Sequence, residues 1–104
     1  MNSIEMLNII TRGNWRNSET NEEYSFSWSD LDKSITIHFK SGDKAGHKDS
    51  HKLVKLYTSK EKSEDYSILR FESNLFKTIC KLHSEDGSLL IDSDVFGKMK
   101  LVPN

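Results

Sequence analysis

A chain of 104 residues has room for one hydrophobic core and not for two, so residues 1–104 read as a single domain. The apolar share is only 35%, but two Trp, five Phe and three Tyr give each core position a large buried area. A formal net charge of -1 argues against a global basic field for nucleic acid, and the lone cysteine, Cys80, rules out both an intramolecular disulfide and a thiolate metal site within one chain.

The first segment, Met1 to Thr11, contains Glu5, Asn2 and Asn8 and lacks the cationic start and continuous apolar run of a secretory signal. No stretch approaches the roughly 18 apolar residues of a membrane span, and with a single thiol a reducing, cytoplasmic setting is expected. Ser3 is placed to cap a short helix whose stripe is Ile4, Leu7 and Ile10, or Met6, Ile9 and Ile10, ending near Gly13.

From Glu22 the period changes to two. Tyr24, Phe26 and Trp28 alternate with Ser25, Ser27 and Ser29, which predicts a strand with three aromatics on one face. After a turn at Asp30 to Lys33, Ile35, Ile37 and Phe39 alternate with Thr36, His38 and Lys40, the antiparallel partner in a hairpin. Ser41 to Ser50 has glycines and no apolar period, so it reads as a loop or hairpin tip.

Strand-like runs then recur at Lys52 to Thr58, Asp65 to Glu72, Leu75 to His83, Ser88 to Asp92 and Phe96 to Val102. With Asn14 to Ser18 the count is eight, without it seven, and the short connections favour an all-β, antiparallel up-and-down meander. Closing such a meander into a small barrel would remove its exposed edges.

A short helix, then Gly13-Asn14-Trp15-Arg16, then an antiparallel meander: this order resembles the lipocalin-like, or calycin, family. The resemblance implies a small barrel whose closed end is filled by Trp15, with Gly13 letting the chain pass close to the helix. It also implies an apolar or amphipathic small molecule inside, against Tyr24, Phe26, Trp28, Ile37 and Phe39.

Tyr66, Ile68 and Arg70 share one phase of their strand, and Leu69 and Phe71 share the other. If the first phase faces inward, Tyr66 joins the ligand-lining set and Arg70 can hold a ligand carboxylate; if the second does, Arg70 is surface. His47 and His51, with Asp43 and Asp49, lie in a glycine-containing stretch where a solvated loop is a better reading than a metal site.

Lys40, Lys44, Lys48, Lys52 and Lys55 read as solubilising charges, because a base-stacking platform would need outward aromatics on the same surface. No motif marks a catalytic nucleophile, and Cys80 falls in the alternating run Phe76, Thr78, Cys80, Leu82, where an inert buried thiol is expected. The expectation is therefore a non-enzymatic module without cofactor, metal, nucleic acid or membrane. The alternative is a protein-interaction domain acting through a sheet edge or apolar patch, including as a homodimer.

Overall fold

Helix α1, Ser3–Arg12, begins where the Asn2 side chain accepts a hydrogen bond from the backbone N–H of Glu5 at 2.9 Å, so the cap lies one residue before the expected Ser3. It ends at Gly13, whose N–H reaches the Ile9 carbonyl. Met6, Leu7 and Ile10 form its buried stripe, leaving Ile4 exposed.

The computed structural model describes residues 2–52, 55–60 and 66–104. After α1 the chain forms β1 (Asn14–Asn17), β2 (Glu23–Ser29), β3 (Ser34–Phe39), β4 (Lys48–Lys52) and β5 (Lys55–Lys60). Then come β6 (Tyr66–Glu72), β7 (Lys77–His83), β8 (Leu89–Ser93) and β9 (Gly97–Pro103). They make one antiparallel sheet in the order β4-β3-β2-β1-β9-β8-β7-β6-β5. The mostly antiparallel β class and the meander agree with the sequence pattern.

Two features were not legible in that pattern. First, β4 begins at Lys48, inside the stretch Ser41 to Ser50 expected to be a loop or hairpin tip. Its Lys-Asp-Ser-His-Lys sequence has no apolar residue, and it is a strand because β3 pairs with it, from Ser34 opposite Lys52 to His38 opposite Lys48. Second, the run expected as a strand from Lys52 to Thr58 serves two neighbours: Lys52 belongs to β4, which pairs with β3, and Lys55 to Thr58 belong to β5, which pairs with β6, while Leu53 and Val54 lie outside the described residues.

Because every neighbouring pair is antiparallel, β4 and β5 run in the same sense at the two ends of the ladder. Among the described residues β4 and β5 do not pair with each other, and no ladder closes the sheet. The first and last strands do meet. Trp15 of β1 lies opposite Pro103 of β9 on one side and Tyr24 of β2 on the other.

Helix α1 touches β2, near one end of this strand order, and also β5 and β6 at the other. The sheet must therefore curl around the helix, with its core between them. Met6, Leu7 and Ile10 pack there with Trp15, Tyr24, Phe26, Ile35, Ile37 and Phe39 from one part of the sheet. Leu69, Phe71, Cys80, Leu82, Leu89, Ile91 and Leu101 come from the other part.

The hairpin register sets Tyr24 opposite Phe39, Phe26 opposite Ile37 and Trp28 opposite Ile35. The Tyr24 and Phe39 rings meet edge to face at 5.5 Å, a favoured aromatic geometry.

Candidate functional site

The junction between α1 and β1 is built around an indole. Trp15 is 2% exposed, and its Nε1–H donates to the Ile10 carbonyl at 3.0 Å, satisfying an acceptor in the last turn of the helix. A Cβ built at Gly13 would stand 3.0 Å from Trp15 Nε1 and 3.3 Å from the Ile9 carbonyl oxygen. Gly13 has φ -78, which any residue adopts, so glycine is required here for space and not for conformation.

Beside this junction, an opening of about 420 Å³ leads in between the end of α1 and the adjoining ends of β1, β6, β7 and β9. Its wall is largely apolar, formed by Ile9, Trp15, Leu82 and Pro103, with Ser67 and His83 supplying polar groups. Ile9 is 39% exposed, at the flank of the helical stripe.

His83 is held from two sides. Its ring meets Tyr66 edge to face at 5.1 Å, and Nδ1 lies 3.3 Å from a carboxylate oxygen of Asp86 and within 3.4 Å of the backbone N–H groups of Glu85 and Asp86. A neutral Nδ1 accepts from those amides; a protonated one pairs with the carboxylate. Hydrogen bonds from the Ser88 hydroxyl and backbone hold the Asp86 carboxyl below its usual value.

The residues expected to line a ligand cavity divide into two groups. Tyr24, Phe26, Ile37 and Phe39 are all under 9% exposed and belong to the core that Met6, Leu7 and Ile10 enter from the helix. Trp28 packs at the margin of that core, its ring 6.1 Å from Phe71, and its Nε1–H donates to Asp30.

Tyr66 and Arg70 require a correction, because Leu69 and Phe71 take the inward phase of β6 and so put both on the opposite face from those aromatics. Alternation alone left the choice open. Ile68 explains why: it is 1% exposed yet stands outside the main core, so β6 buries apolar side chains on both faces.

No family model, curated protein or solved structure matches the chain.

Among the described residues no three His, Cys, Asp or Glu side chains gather as they would around a metal ion. His47 is exposed between β3 and β4, and the side chain of His51 lies outside the described set, as do those of Lys52 and Lys55. Ser27 Oγ and His38 Nε2 stand 2.8 Å apart on the solvent face of β2 and β3, a diagonal cross-strand hydrogen bond that the sequence did not single out. Cys80 is fully buried, and burial pushes its thiol up to about 12. No helix of the described residues is long and apolar enough to cross a membrane.

Proposed function

We propose that this chain is a small binding module of lipocalin-like type that takes an apolar or amphipathic small molecule at the opening beside Trp15. The observation that carries the reading is the opening itself: about 420 Å³ of largely apolar wall at the end of the core, within the size range of small-molecule sites. In this reading the barrel is completed where β4, paired with β3, and β5, paired antiparallel with β6, stand at the two ends of the strand order. Helix α1 fills the middle of the barrel, the core aromatics support it from below, and the ligand lies against Ile9, Trp15 and Leu82. Binding in this form needs no catalytic group or cofactor.

Trp15 makes the test direct. In a Trp28→Phe background its indole is the sole tryptophan, and titration with decanol is expected to shift its emission saturably. Ile9→Glu places a charge in the opening while leaving Met6, Leu7 and Ile10 in place, and it should weaken that response about tenfold or more. An unchanged emission across the titration, or equal binding by the Ile9→Glu variant, would count against the reading.

A second reading, a protein-interaction module or homodimer, is favoured by a separate observation. Among the described residues β4 and β5 each pair along one side only, and Leu75 and Phe76 stand exposed in the β6–β7 turn. Analytical ultracentrifugation separates the two readings, since only the second expects a mass that rises with concentration.

A further inference from the structure

The chain pairs the hydroxyls that it buries. Thr78 and Ser93 meet at 2.6 Å, and the Ser88 hydroxyl is bound to the Asp86 carboxyl. Ser67 is different. It shares the inward phase of β6 with Leu69 and Phe71 and lies opposite Leu82 of β7, another core residue. Among the described residues its hydroxyl has no hydrogen-bond partner. It stands half-buried where the core gives way to the opening beside Trp15, which leaves it to whatever occupies that space.

We infer that Ser67 selects the head group of the ligand: the opening takes a neutral amphiphile whose single oxygen, of an alcohol or a ketone, hydrogen-bonds to the Ser67 hydroxyl. The alkyl tail lies against Ile9, Trp15 and Leu82. The inference rests on the reading of this opening as the binding site, and it adds the chemical class of what enters.

A serine hydroxyl both donates and accepts, so it matches either kind of oxygen. The indole does not compete for the head, because its one N–H is held by the Ile10 carbonyl. The His83 ring is turned to Tyr66, with Nδ1 against the amides of Glu85 and Asp86, and Ser84 is exposed in the β7–β8 turn. Ile9, Trp15, Ser67, Leu82 and Pro103 are all uncharged wall residues. A carboxylate head would exchange its water for one neutral hydroxyl, whereas an alcohol or ketone gives up far less on entering.

Trp15 emission in the Trp28→Phe protein reads the binding. Decanol and 2-decanone are expected to bind with similar affinity, and decanoate about tenfold or more weakly. Ser67→Ala should weaken decanol about fivefold while toluene, which has no oxygen, binds as in the parent. Because the hydroxyl has no partner in the described fold, the urea midpoint of Ser67→Ala should not fall below that of the parent.

If neither toluene nor decanol shifts the emission, the binding site itself is lost and the inference with it. If both bind and Ser67→Ala holds decanol as tightly as the parent, the inference alone is overturned. Equal affinity for decanoate would overturn it too, as would a marked loss of stability in Ser67→Ala, which would assign the hydroxyl to the fold.

Discussion

Gly13 and Trp15 show how much can depend on one missing methyl group. An alanine at position 13 would suit the backbone and would narrow the unfolded ensemble, a gain of about 0.4 to 1 kcal/mol. Against that, its Cβ would meet the indole at 3.0 Å, and the indole cannot retreat without giving up its bond to the Ile10 carbonyl. Overpacking of this kind costs about 1 to 3 kcal/mol, so Gly13→Ala is expected to lower stability by about 1 kcal/mol net in urea denaturation. The pairing of this glycine with this tryptophan was legible in the sequence, and so was the close approach to the helix. The indole's hydrogen bond was not, because nothing in a string of residues says which carbonyl at a helix end will be within reach.

At the scale of elements, Ser93 joins β7, β8 and the turn into β9. Its hydroxyl lies 2.6 Å from that of Thr78, itself 1% exposed, and its oxygen accepts the backbone N–H groups of Val95 and Phe96 at 3.0 and 2.9 Å. Ser93→Ala leaves those two amides without this acceptor and the Thr78 hydroxyl without this partner. A loss on the order of 2 kcal/mol is expected, measurable by thermal or urea unfolding.

The aromatic hairpin of β2 and β3 was readable because each strand has one wet face, so burial wrote a period of two into the residues. β4 was unreadable for the converse reason: its strand character comes from its neighbour. β6 was readable as a strand but not in phase, since Ile68 on one face and Leu69 and Phe71 on the other are all buried. The opening at Trp15 was not legible, because it is assembled from the ends of strands far apart in the chain.

For the whole molecule, pH acts through the buried core. Cys80 rises from 9.0 to about 12 through burial, and Tyr24 is also raised, chiefly by burial. Above pH 9 the unfolded chain releases the Cys80 proton while the folded chain retains it, so the folded state binds more protons and stability falls as pH rises. The stabilisation associated with the neutral thiol is complete below pH 9 and lost on the way to about 12, by up to about 1.4 kcal/mol for each unit. Urea midpoints measured at neutral pH and above pH 9 should therefore decline, and Cys80→Ala should decline less steeply. An identical slope in both proteins would show that the thiol is not the group responsible.

The meeting of β1 with β9 also bears on how the chain is made. On a ribosome β1 emerges early, and the strand that covers its other side follows only after β2 to β8 have been synthesised. Only when Leu101 to Pro103 have cleared the exit tunnel can that side be covered, by the most sequence-distant contacts in the fold. Until then the nascent chain carries an unpaired strand next to a tryptophan. Exposure of that edge during synthesis is therefore expected to make the yield of folded chain sensitive to chaperone access.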